Sequence, residues 1–315
     1  MRTNRWVGIG LVVLGAALAL TSLLGPLVAG VIRYRLPETP LNQQIGADAF
    51  ALAIVAPLSV AAGILILRRH RAGPVLALAP ATYALYIFAE EILAPEYLRL
   101  PGNNELYFPL FIGVFILAGV LAVGAWSAMD AHSLPARSRR KDRLVGGWLL
   151  AFAAFMVIGR YVPGLGDAMS SHPKGAEYLA GPTLFWTIAF EDLGFVLPAA
   201  VAAGIGLLLG RRWAQRVTYT VVGWTAVVPL AVAAMSIAMR INHDPTSKGS
   251  AVVLLTVIGV ACSTVAAFVY AQLFRARARR ARSEEVSLGS LEVVGAGSVE
   301  ERRLAASRQQ DGSSK

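Results

Sequence analysis

The sequence has few charged residues and a single cysteine. Only 15% of its 315 residues are charged, whereas soluble domains carry about 25%, so the composition excludes an ordinary soluble globular protein. The one cysteine, Cys262, cannot form an internal disulfide or a dithiol redox centre. Motifs typical of serine hydrolases, zinc proteases and P-loop nucleotide-binding proteins are also missing from the sequence.

The sequence contains many long apolar runs. Apolar residues make up 56% of the chain and fall into eight runs, at about 6–30, 49–67, 73–94, 107–128, 144–162, 184–209, 217–239 and 250–274. Each approaches the roughly 20 residues that cross a bilayer as a helix. None shows the period-2 alternation of a membrane barrel strand. We therefore predict an all-α polytopic membrane bundle of eight transmembrane helices.

Lysine and arginine are unevenly divided between the two sets of loops. Eighteen fall on the side of the N-terminus: Arg2, Arg5, Arg68, Arg69, Arg71, Arg137, Arg139, Arg140, Lys141, Arg143, Arg211, Arg212, Arg216, Arg275, Arg277, Arg279, Arg280 and Arg282. Seven fall on the other: Arg33, Arg35, Arg99, Arg160, Lys174, Arg240 and Lys248. The positive-inside rule places the eighteen, and both termini, in the cytoplasm. The net charge of +10 is then a topology signal that also attracts anionic lipid headgroups, and it requires no nucleic-acid partner.

The two halves of the chain resemble each other. The segment 57–67 matches 198–208 at seven of eleven positions, and arginines follow both segments. Shifted by the same 141 residues, the first, third and fourth helices fall on the fifth, seventh and eighth. Four helices per unit give both copies one orientation, so the repeat is parallel. The predicted parts are a first repeat (1–128), a cytoplasmic linker (129–143), a second repeat (144–274) and a basic, then disordered, cytoplasmic tail (275–315).

Acidic residues gather at the extracytoplasmic ends of the helices, where charge is costly if it faces lipid. Asp48 is expected to open the second helix, and two further pairs lie near the ends of the third and sixth. Helical spacing places two tyrosines of the third helix on one face with its acidic end. We expect these side chains to line an outward-facing pocket: Asp48, Tyr83, Tyr86, Glu90, Glu91, Glu191 and Asp192. Tyr178 and Trp186 are expected at its rim.

Other interpretations of these residues stay open. Interfacial aromatic residues often anchor a helix in the membrane, and acids near a helix end can reach water or headgroups. Arg160 or Arg240 could pair with Glu191 or Asp192. His172 and His243 lack ligand spacing, so we predict no metal and no cofactor.

From Asn42 to Trp126 the chain resembles a class of uncharacterised bacterial multi-pass membrane proteins. The resemblance rests on Gly46-x-Asp48, Pro57, the Arg68-Arg69 loop and the Tyr83/Tyr86 helix. It implies a membrane bundle and no particular activity. The abundance of Ala, Val, Gly and Arg favours a bacterial cytoplasmic membrane as the location.

Three hypotheses for function follow, and the sequence leaves open whether the protein is an enzyme. The first is binding or transport of a small solute or ion through the outward-facing acidic cavity. The second is a membrane-embedded enzyme that uses the same carboxylates as acid and base on a lipid-linked substrate. The third is a non-catalytic scaffold or sensor that contacts a protein partner through its cytoplasmic tail.

Overall fold

The structure is a computed structural model that describes residues 5–129, 134 and 138–274. These residues form eight helices that are long and apolar enough to cross a membrane: α1 (Arg5–Leu24), α2 (Glu38–Leu67), α3 (Ala72–Leu93), α4 (Asn104–Ala128), α5 (Arg139–Ala168), α6 (Pro182–Leu208), α7 (Arg212–Ile241) and α8 (Gly249–Phe274). A short helix, Ala176–Ala180, precedes α6. The predicted linker is described only in part, and the predicted tail lies outside the described residues.

Two helix boundaries differ from those expected from hydropathy. Helix α1 ends at Leu24, since Gly25 precedes Pro26 and a residue before proline disfavours helical backbone. Helix α2 begins at Glu38 after an N-cap at Pro37, well before the apolar run. Its first turns are polar, so an apolar-run criterion starts this helix only at about residue 49. As a result Asp48 lies inside α2 rather than at its start.

Contacts between helices place α3 and α7 at the centre. Helix α2 packs on α1, α3 and α7, while α6 packs on α5, α7 and α3. Helices α3 and α7 also contact each other. Their most apolar segments are 67% and 56% buried, whereas those of α4 and α8 are each 22% buried. The helices at equivalent places in the two halves therefore have similar surroundings.

Local backbone features recur at the 141-residue spacing. A π-helical segment interrupts α2 at Ala51–Val55 and α6 at Asp192–Val196. After each helix one residue has left-handed backbone, Arg69 (φ 55°) and Gly210 (φ 71°). The amide that follows bonds back across the turn in both halves, His70 N to Leu65 O and Arg211 N to Gly206 O.

Paired glycines bring the first two helices of each half together. A Cβ atom on Gly63 would lie 2.6 Å from the carbonyl oxygen of Gly8, and one on Gly146 would lie 2.9 Å from that of Gly204. Real Cβ atoms do not approach backbone oxygen so closely. The glycines thus permit the helix separation, as small residues do at interfaces between membrane helices.

We predict that Gly146→Ala destabilises the protein and Gly147→Ala does not. The added methyl of Gly146→Ala would force α5 away from α6, at a cost of about 1–3 kcal/mol. A Cβ on Gly147 meets nothing within 4 Å, and alanine favours helix over glycine by about 0.5–1 kcal/mol. Thermal unfolding of both variants in detergent tests this. Equal midpoints would contradict the proposed close contact.

Candidate functional site

A cavity of about 490 Å³ lies between helices of the two halves. It opens near the end at which α2 and α6 begin and α3 and α5 end, here called the acidic end. The walls come from α2, α3, α5, α6, α7, α8 and the short helix. Its charged lining, within the described residues, comprises four acids and one base: Glu90, Glu91, Glu177, Asp192 and Arg160. The cavity therefore carries an excess of negative charge.

Asp192 is the most heavily hydrogen-bonded of these acids. It is 2% exposed and stands first in the π-helical segment of α6. Tyr86 Oη donates to its Oδ1 at 3.1 Å, and Tyr161 Oη donates to its Oδ2. The Nη1 atom of Arg160 lies 3.8 Å from the same Oδ2. Asp192 thus joins α3, α5 and α6 at the cavity wall.

Arg160 is held between two acids. Its Nη2 donates to Glu177 Oε1 of the short helix at 2.7 Å, while Nη1 faces Asp192. A π-helical segment, Phe155–Tyr161, places Arg160 and Tyr161 side by side in α5. Both π-helical segments at this site carry residues of the polar cluster, as such segments often do at functional sites. Of the two arginines considered from sequence, Arg160 is the one beside Asp192.

A glutamine links two further carboxylates. Gln44 Nε2 donates to Asp48 Oδ1 at 3.3 Å and to Glu91 Oε1 at 3.0 Å. Asp48 is 4% exposed and Glu91 is 7% exposed. Their other oxygens, Oδ2 and Oε2, have no hydrogen bond within the described residues. Gln44 and Glu91 line the cavity, whereas Asp48 lies behind them.

Tyr34, in the segment between α1 and α2, faces this carboxylate pair. Burial raises the pKa of its hydroxyl well above the ordinary value, and the negative charges of Glu91 and Asp48 raise that pKa further. The hydroxyl is buried and makes no hydrogen bond of normal geometry within the described chain. It therefore stays neutral at neutral pH and adds no negative charge to the pair.

Aromatic and sulfur-containing side chains form much of the remaining wall. Tyr86 and Trp224 pack edge to face with ring centroids 5.5 Å apart. Further apolar lining comes from Phe152, Phe155, Phe185, Met156, Met235 and Met239. Aromatic faces attract cations, and methionine adapts to irregular ligands. Such walls suit an organic ligand as well as a small ion.

The structure brings four of the seven predicted residues to the cavity: Tyr86, Glu90, Glu91 and Asp192. Tyr83 is fully buried and packs on Phe50, with ring centroids 6.2 Å apart. Glu191 is also buried and does not line the cavity. The third residue outside the lining is Asp48, which connects to the cavity through Gln44. Tyr178 and Trp186 line a separate, more open groove rather than this cavity.

Several contributors were not found from the sequence. Gln44 sits in the polar first turns of α2, before the apolar run that begins at about residue 49. Trp224 lies in the middle of α7 in an apolar run that gave no sign of which face meets the cavity. Tyr161 follows Arg160 in the sequence, and the π-helical backbone of α5 brings it to Asp192.

Neither a metal site nor a similar protein identifies the chemistry of the cavity. Within the part of the chain that the structure describes, no three His, Cys, Asp or Glu side chains are grouped to hold a metal ion. No protein-family model, curated protein or solved structure matches the chain.

Proposed function

We propose that the chain crosses a bacterial cytoplasmic membrane eight times, with its basic turns and both termini in the cytoplasm. The apolar faces of α4 and α8 support insertion, because most of each lies outside the protein core and such area needs lipid. Arg68, Arg69, Arg211 and Arg212 lie at the helix ends opposite the acidic end. The positive-inside rule then places the acidic cavity on the outer side.

The same proposal includes two parallel four-helix repeats. Three observations support it: the matched sequences, the π-helical segments at one spacing and the equivalent helix contacts. Parallel repeats with a site at their junction are a common design of secondary transporters. The cavity has walls from both halves, as that design requires.

The function that the geometry supports best is binding of a small, positively charged solute in this cavity, as the first step of transport. The observation that carries the proposal is the lining of four carboxylates and one guanidinium beside aromatic walls. An anion would meet net repulsion at such a site, whereas a cation would gain both Coulomb attraction and contact with aromatic faces. A volume near 490 Å³ falls within the range of small-molecule sites, about 300–1,000 Å³.

Two probes that differ in charge and little else test which sign of charge the cavity prefers in a ligand. Tetraphenylphosphonium and tetraphenylborate have nearly the same size and shape and carry opposite charge. We expect the full chain in a neutral detergent to bind the phosphonium at least tenfold more tightly, about 1.4 kcal/mol. Isothermal titration calorimetry of the protein, with protein-free micelles as the blank, measures the dissociation constants of both probes. Equal affinities, or tighter binding of the borate, would overturn the proposal.

Glu90→Gln is expected to weaken binding of tetraphenylphosphonium by about tenfold or more, since an interaction with a charged group contributes roughly 1.5–3 kcal/mol. Glu90 lines the cavity, is half-buried and has no ion pair within the described residues. Glu105→Gln is the matched control, because Glu105 pairs with Arg35 outside the cavity. If both variants bind like the wild type, Glu90 does not contact the solute.

The enzyme hypothesis predicts conversion of a lipid-linked substrate by detergent-purified protein without any ion gradient. The scaffold hypothesis rests on the tail at 275–315, outside the described residues. No observation at the cavity favours the enzyme or the scaffold hypothesis over binding, so binding of a cationic solute remains the proposal.

A further inference from the structure

Asp48 and Glu91 form a second polar group behind the cavity wall. One amide nitrogen of Gln44 donates to both carboxylates, at 3.3 Å and 3.0 Å. Each acid is more than nine-tenths buried. Each keeps one oxygen with no hydrogen bond of normal geometry within the described residues, although the hydroxyls of Ser22 and Tyr34 approach Asp48 and Glu91. Glu91 belongs to the cavity lining.

Among the residues that the structure describes, no positively charged side chain pairs with Asp48 or Glu91. The titratable side chains that face it from the neighbouring elements are Tyr34, Tyr83 and Glu90. The hydroxyl of Ser22, on α1, faces Asp48. All of these groups are neutral or acidic. Arg160 lies between Asp192 and Glu177, and makes its ion pairs with those two acids.

Two carboxylates in such a setting cannot both stay ionised without a cation. Burying one unpaired charge is costly, and a second like charge nearby adds Coulomb repulsion. One neutral amide satisfies one oxygen of each acid but cancels no charge. Among the described residues no third acid, histidine or cysteine joins the pair to hold a metal ion. A proton needs no such ligand shell, so it is the cation that fits.

We propose that Asp48 and Glu91 share one proton, and that Glu91 releases it into the cavity when a cationic solute binds. Paired carboxylates that share a proton are known from acid–base sites. The exchange balances: the solute brings one positive charge in, and the proton leaves Glu91 for water in the cavity. Asp48 does not reach the cavity and acts as the partner that keeps the proton at the pair. The release step rests on the proposed function, whereas the shared proton does not.

Infrared difference spectroscopy tests the shared proton without any solute. The full chain in detergent at neutral pH should show the carbonyl stretch of a protonated carboxyl group, and that band should disappear on titration to alkaline pH. The Asp48→Asn/Glu91→Gln double variant should lose part of the band. Glu38→Gln, an exposed acid on the same helix, should lose none of it.

A wild-type spectrum with no protonated-carboxyl band would overturn the shared proton, whatever the variants do. A band of equal size in the double variant would overturn its assignment to this pair, provided that helix content matches the wild type. Both outcomes are independent of tetraphenylphosphonium binding. The two proposals can therefore fail separately.

Proton release is measured with a pH-indicator dye in weakly buffered protein as tetraphenylphosphonium is added. We expect one proton per bound cation near neutral pH in the wild type. Glu91→Gln should bind the probe more weakly, because it lacks the carboxylate that faces the bound cation, and should release no proton per cation bound. Binding without release in the wild type would overturn the coupling. Absence of binding would count against the proposed function, and the infrared result would still decide the shared proton.

Discussion

Asp192→Ala is expected to lower the free energy of unfolding by about 3 kcal/mol, among the largest effects of a single substitution in this protein. Alanine would remove the acceptor of Tyr86 and Tyr161 and leave Arg160 with Glu177 alone. A single interhelical hydrogen bond in a membrane protein contributes about 0.6 kcal/mol on average. The larger value is expected here because three buried or half-buried groups lose the same partner together.

Asp192→Asn is the matched control. Its amide oxygen can still accept one tyrosine hydroxyl, so the loss should be clearly smaller than for alanine. Thermal or denaturant unfolding in detergent, monitored by the loss of helical circular dichroism, measures the stability of both variants. A loss below about 1 kcal/mol for Asp192→Ala would mean that water takes the place of the carboxylate, and that Asp192 is not a structural link between α3, α5 and α6.

Most of the helices could be predicted from sequence because residues on the outer surface of the bundle and residues in its core are both apolar. Length alone then marks each helix, and arginines or prolines mark most ends. Helix α2 shows the limit of this method: its first turns, from Glu38 to Gln44, are polar yet helical. They pack on α7, and a hydropathy criterion cannot detect a polar helical segment that is covered by another helix.

Helical spacing could identify only some of the residues that line the cavity, because it takes no account of contacts between helices. Helical spacing puts Tyr86 and Glu90 on one face of α3, and in the structure both line the cavity. The same spacing put Tyr83 with them, but α3 lies at the centre and that turn packs on Phe50. The link from Gln44 to two acids depends on the contact between α2 and α3. No one-dimensional pattern contains such a contact.

The turn between α7 and α8 provides the second large effect. Asp244 is 5% exposed and accepts hydrogen bonds from Thr246 within the turn, and from Asn42 and Thr39 of α2. Burial alone would raise the pKa of Asp244, but these hydrogen bonds outweigh burial and lower the pKa below its ordinary value. We expect Asp244→Asn to reduce the free energy of unfolding at neutral pH by about 1–3 kcal/mol.

The dependence of this loss on pH has a definite sign. A carboxyl group whose pKa is lower in the folded chain stabilises it above the unfolded pKa, about 3.9 for Asp, and that contribution disappears as pH falls through the folded pKa. The difference between wild type and Asp244→Asn should therefore be largest above pH 5 and shrink below about pH 4. Comparing the two proteins removes the titration of other acids, which both share.

Asp167→Asn separates this effect from ordinary loop capping. Asp167, in the last turn of α5, also accepts backbone amide hydrogens, from Lys174 and Gly175, but both donors lie in the loop that directly follows α5. Its substitution should lower the free energy of unfolding by less than that of Asp244, which joins the α7–α8 turn to the beginning of α2.

A difference between wild type and Asp244→Asn that stayed constant from pH 7 to pH 3 would contradict a charged Asp244 as the stabilising group. The contacts would then act through shape and hydrogen bonding alone, because only an ionised carboxylate makes the contribution depend on pH.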